Sequence, residues 1–132
     1  MDTQDPFRQY HIGLAPGDVA RRILLAGDPA RVRRFAENLE EIRGEWSCRE
    51  YLTITGKWKN EEVSLMATGM GASNIEIAMI ELAKIVEDPI LIRAGSCGGI
   101  DSSRERGSST FTSRSCTPWP RRTTSGHSLW PT

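Results

Sequence analysis

The sequence predicts an α/β protein, the opening of a three-layer α/β/α sandwich around a mixed central sheet. Three observations carry this reading. Between residues 22 and 94, apolar runs of strand length alternate with segments of helical periodicity. Three of those runs end in glycine-containing turns, at Gly27, at 69–71 and at 95–99. The apolar pattern then stops after Ile100.

Residues 22–26, Arg-Ile-Leu-Leu-Ala, form a short apolar run closed by Gly27, which reads as a buried strand. Asp28 is placed to cap a helix, and Pro29 suits a first helical turn. Val32, Phe35, Ala36 and Leu39 recur at helical spacing, so an amphipathic helix is expected over 29–41. Over 50–56, Tyr51, Thr53 and Thr55 alternate with Leu52 and Ile54, which is strand periodicity. A polar turn at 59–61 and a second strand over 63–68 complete a hairpin. Residues 73–85 read as a helix whose apolar side chains surround most of its circumference, so deep burial is expected. Residues 89–94 read as a third core strand. If the strands before the glycine turns run parallel, those turns converge on one edge of the sheet, where ligands of such sheets sit.

Composition narrows the function classes. The 132 residues carry 17 basic and 17 acidic side chains, so no chain-wide field attracts nucleic acid or an anionic membrane. Apolar stretches such as 23–26 and 75–80 are far too short to span a bilayer. Residues 1–10 are polar, with Asp2, Asp5 and Arg8, and offer no apolar core of a signal peptide. Cys48, Cys97 and Cys116 have no metal-ligand spacing, and an odd number argues against a disulfide framework. A cytoplasmic protein with reduced thiols and no metal site is expected.

The charge balance hides a split. After Ile100 there are five arginines (Arg104, Arg106, Arg114, Arg121, Arg122) against Asp101 and Glu105, with eight serines and six threonines. No Val, Ile, Ala or Lys occurs there. Two segments are therefore expected: a folded unit over 1–101, and an aberrant Ser/Thr/Arg/Pro-rich tail over 102–132 that reads as disordered or as translation out of frame.

The chemistry lies in the glycine turns. A glycine turn after a strand exposes backbone N–H groups to an anion. Arg31 stands one helical turn beyond Gly27 and can point back toward it. Arg93 interrupts the apolar run Ile90-Leu-Ile, so it needs a partner or a ligand. Ser96 adds a hydroxyl on the next turn. Two arginines, a hydroxyl and backbone amides suit inorganic phosphate. Taken singly, each has a plainer reading. Arg31 could be a solvated helix residue, Arg93 half of a salt bridge, 95–99 a tight turn and His11 a surface or capping histidine. Gly69-Met-Gly71 lacks the third glycine of a dinucleotide fingerprint, since Asn74 stands there. Residue types alone stop at an anion-binding α/β protein.

Taken together, several segments carry more. They are His11-Ile-Gly-Leu, Leu25-Ala-Gly-Asp-Pro-Ala-Arg31, Arg49-Glu-Tyr, Ala67-Thr-Gly-Met-Gly71 and Ile92-Arg-Ala-Gly-Ser-Cys-Gly98. In order and separation they resemble the nucleoside phosphorylase family that includes uridine phosphorylase and the hexameric purine nucleoside phosphorylases. The resemblance spans residues 8–101, and the His11 and Arg49 segments tilt it toward the uridine branch. It implies that Gly27, Arg31, Arg93 and Ser96 bind phosphate, with Arg93 and Ser96 as catalytic contacts. Arg49 would reach the phosphate of a neighbouring subunit, and His11 the ribose 5′-hydroxyl there. Thr68, Gly69 and Met70 would lie against the ribose. The implied reaction is phosphorolysis of a nucleoside to free base and ribose 1-phosphate. Phosphate would be a co-substrate, no cofactor would be needed, and the enzyme would be a homo-oligomer, a dimer or trimer of dimers. Family members are longer, and their second half supplies the base pocket. The chain is thus expected to be incomplete, with its base preference unreadable. Two other readings stay open: a nucleosidase of the same fold, and a non-catalytic phosphate-binding fragment.

Overall fold

A computed structural model describes residues 6–96 of the chain. The expected tail over 102–132, and Cys97 and Gly98 of the last matching segment, lie outside the described residues. Seven elements succeed one another: β1 Arg22–Ala26, α1 Pro29–Ala36, β2 Glu41–Cys48, β3 Tyr51–Trp58, β4 Glu61–Ala67, α2 Ala72–Ile85 and β5 Ile90–Arg93.

The strands form one five-stranded sheet in the order β2-β3-β4-β1-β5. β1 pairs parallel with both β4 and β5, bringing Ala26 opposite Ala67 and Leu25 opposite Arg93. β2, β3 and β4 form an antiparallel meander. The sheet is therefore mixed, with its parallel part at the β1 end. The β3–β4 turn is Lys59-Asn60, both at positive φ (48° and 63°), the backbone of a two-residue hairpin that matches strand twist.

The pleat of β1 divides the core into two layers. Ile23 and Leu25 face one side, with Met66, Tyr51, Ala78 and Leu82 of α2. Ala26 faces the other, with Leu52, Ile54, Leu65 and Val32 of α1. Helices thus cover opposite faces of the sheet, as the sandwich requires. The described residues before β1 have no helix or strand but add Ile12 and Leu14, both fully buried, to the α2 layer.

Four expectations change. α1 ends at Ala36 rather than 41, because the Asn38 side chain donates to the carbonyls of Arg34 and Phe35 and closes the last turn. Residues 41–48 form β2, an additional strand. Its alternate positions Gly44, Trp46 and Cys48 are partly covered, but Gly44 and a bulge between Ile42 and Gly44 interrupt the apolar side and weaken the strand signal. α2 is not covered all round: Ala78, Glu81 and Leu82 are buried, but Ile80 is 53% exposed. β5 is not a core strand among the described residues. It is the sheet edge, with Ile90, Ile92 and Arg93 exposed.

Candidate functional site

Because β1, β4 and β5 run the same way, the three turns that follow them meet. Backbone bonds tie them together. The Thr68 N–H donates to the Ala26 carbonyl at 2.9 Å, and the Ala94 N–H to the Leu25 carbonyl at 2.9 Å. Arg31, on the first turns of α1, reaches across so that Nη1 donates to the Ala94 carbonyl at 3.4 Å. Between the turns lies a cleft of about 470 Å³, lined by Gly27, Asp28, Pro29, Arg31, Gly69, Met70, Arg93, Gly95 and Ser96.

Two glycines make this possible for different reasons. Gly69 has φ +70°, a conformation that L side chains avoid, and a Cβ there would press on Asn74 Nδ2 at 3.1 Å. Gly27 has no positive φ, yet a Cβ there would stand 3.5 Å from the Gly69 carbonyl and 3.8 Å from Arg93 Nη2. A side chain at position 27 would thus occupy the space between the turns.

The cleft is cationic. Arg8, Arg21, Arg22, Arg33 and Arg43 are each paired with a carboxylate. Arg31 and Arg93, like Arg34 and Arg49, have no such partner among the described residues, and of these four only Arg31 and Arg93 line the cleft. Asp28 is the only carboxylate among the lining residues, and its Oδ1 caps α1 by accepting from the Ala30 N–H at 2.9 Å. Met70 stands 89% exposed at the rim, an apolar side chain left open to a flat apolar surface. Backbone amides, two guanidiniums and the Ser96 hydroxyl can together hold a small anion, with an apolar group beside it.

Of the residues singled out in the sequence, the structure gathers Gly27, Arg31, Gly69, Met70, Arg93 and Ser96 in this cleft. Thr68 does not line it. It is fully buried behind it, with its hydroxyl on the Ala26 and Gly69 carbonyls, and it holds the β4 turn in place. Arg49 and His11 do not line it either. Arg49, at φ 55°, forms the β2–β3 turn with Glu50. Its guanidinium lies 5.0 Å over the Tyr10 ring, and that ring meets the His11 ring edge-on at 5.0 Å.

Sequence reasoning missed what holds His11. Its Nδ1 lies 2.6 Å from Glu81 Oε1. The same carboxylate accepts the His11 N–H at 3.1 Å and the Ile12 N–H at 3.0 Å through Oε2. Burial raises the Glu81 carboxyl, but the hydrogen bonds from the His11 side chain and from the Ile12 and His11 backbone outweigh it and hold the group below its ordinary value. The available signal was a lone carboxylate in the apolar helix segment Ile77-Ala-Met-Ile-Glu-Leu-Ala.

Comparison with known proteins gives the chain a family. The family model of the Phosphorylase superfamily matches residues 21–116. Uridine phosphorylase of Thermococcus kodakarensis is 46% identical over 99 residues, which is 75% of this chain and 35% of that protein. A DeoD-type purine nucleoside phosphorylase of Shewanella oneidensis is 39% identical over 94 residues, 70% of this chain and 40% of that protein. Among solved structures, a uridine phosphorylase of the oomycete Phytophthora capsici gives a TM-score of 0.69 at 33% identity, covering 73% of this chain and 34% of that one. Purine nucleoside phosphorylase from Toxoplasma gondii in complex with immucillin-H gives 0.65 at 32%, covering 72% and 38%. The chain therefore spans a little over a third of the length of these relatives. With the superfamily match extending over most of its residues, the chain belongs to the Phosphorylase superfamily, in its nucleoside phosphorylase family.

Proposed function

We propose that this chain carries the phosphate- and sugar-binding part of a nucleoside phosphorylase site, of the uridine phosphorylase kind. The observation that carries the proposal is the cleft in which Arg31 and Arg93 stand beside Gly27 and Ser96 without a described carboxylate partner. Inorganic phosphate is the co-substrate on this reading, and no other cofactor is required. The C1′–N bond to the base breaks first, and the base leaves with the electron pair and takes up a proton. The sugar left behind has oxocarbenium character. Phosphate clamped by Arg31, Arg93, Ser96 and the Gly27 backbone stabilises that cation and then attacks it, forming the C1′–O bond of ribose 1-phosphate. Met70, with Gly69 beside it, packs on the ribose.

Arg49 and His11 act in a neighbouring subunit on this reading, Arg49 on its phosphate and His11 on the ribose 5′-hydroxyl. Their absence from the cleft of their own chain supports that division. The functional enzyme is then a homo-oligomer. Two cations in the cleft favour phosphorolysis over hydrolysis, because water needs no anion clamp.

Calorimetric titration of the 132-residue chain with inorganic phosphate tests the reading. Binding is expected, and a charged hydrogen bond of about 1.5–3 kcal/mol predicts a loss of roughly ten- to a hundredfold in Arg93→Ala. Absence of phosphate binding, or binding indifferent to Arg93, would overturn it.

A further inference from the structure

The His11 corner contains more than its proposed contact with a sugar hydroxyl needs. Glu81 is a buried carboxylate whose side chain is only 9% exposed, while the His11 ring is 39% exposed. Its two oxygens accept both backbone N–H groups at the point where residues 11 and 12 turn into the core. Ile12, the next residue, is fully buried, so the main chain here is fixed from both sides. Further bonds stiffen the segment. Gly13 donates to the Gln9 carbonyl at 3.0 Å, Gln9 donates to the Leu14 carbonyl at 2.8 Å, and Arg8 Nη1 donates to the Gly13 carbonyl at 2.5 Å.

The ring contact adds a chemical consequence. An ionised carboxylate only accepts, so the ring nitrogen 2.6 Å from it must carry a proton. The hydrogen bonds that hold the Glu81 carboxyl below its ordinary value keep it ionised at neutral pH. Which nitrogen of a neutral imidazole is protonated is set by the bond the other makes. In the neutral ring, with Nδ1–H committed to Glu81, Nε2 keeps its lone pair, and no described residue is hydrogen-bonded to it. The Tyr10 ring stands edge-on at 5.0 Å and limits ring rotation.

We infer that Glu81 is a positioning residue: it fixes His11 as the Nδ1–H tautomer and aims Nε2 outward as a hydrogen-bond acceptor. This rests on the proposed function for the identity of what Nε2 meets, a sugar hydroxyl that must then donate its proton rather than accept one. The tautomer itself follows from Glu81 and needs no turnover.

The test is ¹⁵N NMR of the imidazoles in the full 132-residue chain, in alkaline buffer, in solution or by magic-angle spinning. The chain has two histidines, and His127→Gln assigns the signals. In the wild-type chain His11 is expected to be predominantly Nδ1–H. In Glu81→Ala it should revert to the Nε2–H form that free imidazole side chains favour. Glu81→Gln, whose one oxygen is claimed by the His11 and Ile12 N–H groups, turns its NH2 toward the ring, so Nδ1 must accept and the Nε2–H form should again prevail. A wild-type His11 that is mainly Nε2–H overturns the inference. So does a folded Glu81→Ala chain that retains the wild-type tautomer. If Glu81→Ala loses its dispersed amide spectrum, the wild-type and Glu81→Gln spectra decide alone. Failure of phosphate to bind would sink the proposed function and leave the tautomer result standing, so the two failures are distinguishable.

Discussion

At the strand-end cleft two arginines face open space, whereas at the His11 corner both oxygens of Glu81 are already answered from within the chain. The cleft is made of backbone turns and two arginines without a carboxylate partner among the described residues. The corner is made of a buried carboxylate and the groups it holds, and it presents one finished side chain outward. The difference teaches that residues gathered under one resemblance need not form one site in one chain. Gly27, Arg31, Arg93 and Ser96 share a cleft, while His11 and Arg49 share an exposed surface with Tyr10.

The largest expected effect sharpens the contrast within α2, the helix beneath the corner. Leu82 is fully buried and Ile80 is 53% exposed, two residues apart. Leu82→Ala should cost about 2–5 kcal/mol in urea denaturation. Ile80→Ala should stay within about 0.5 kcal/mol. Equal losses would mean that something covers Ile80 in solution.

Next comes Gly27→Ala. The new methyl makes only ordinary contacts at 3.5 and 3.8 Å, so the thermal midpoint should hardly move. Phosphate affinity should nevertheless fall, by roughly tenfold or about 1.4 kcal/mol, because the methyl fills the space an anion needs. A large loss of stability with intact phosphate binding would make position 27 a mere tight turn.

The corner has its own pH signature. The Glu81 carboxyl is held below its ordinary 4.5, so its contribution to stability is present above that value. It is lost as the pH falls further, through the lowered value. Glu81→Gln should flatten this part of the stability–pH curve, measured by denaturant midpoints between neutral and acid pH. An unchanged curve would show that the carboxylate is not differently bonded in the folded chain.

The smallest effect is expected for Arg49→Ala. Its guanidinium packs on Tyr10 and does not line the cleft. Phosphate affinity of a single chain should change less than about twofold, which is less than 0.5 kcal/mol. If the chain self-associates, the effect should grow with protein concentration, since the proposed contact is with a neighbour.

Much of this is legible in the sequence, for physical reasons that also explain the gaps. Strand β1 is short, apolar and followed by Gly-Asp-Pro, so its nature and the cap of α1 can be read directly. Convergence of the three turns comes from parallel pairing, a global consequence of alternating elements. Strand β2 does alternate Glu41, Arg43, Glu45 and Ser47 with Ile42, Gly44, Trp46 and Cys48, but Gly44 and the bulge beside it interrupt the apolar side, so the period is easily passed over. The end of α1 is misplaced because Leu39 keeps helical spacing although Asn38 has already closed the helix. Leu39 packs beneath the sheet from a loop instead. Arg93 reads as a core residue because its neighbours are isoleucines and a leucine. Those side chains belong to an edge strand whose outer flank has no described neighbour. Glu81 escapes notice because its partners are 69 and 70 residues away in the chain.

The central claim is that the three strand-end turns, and not the His11 corner, form the anion site of this chain. A phosphate titration followed by amide ¹H–¹⁵N correlation spectra tests this residue by residue. Saturable shifts are predicted at Gly27, Arg31, Gly69, Arg93, Gly95 and Ser96, with His11 and Arg49 unmoved. Shifts centred on His11 and Arg49, with the three turns silent, would contradict it.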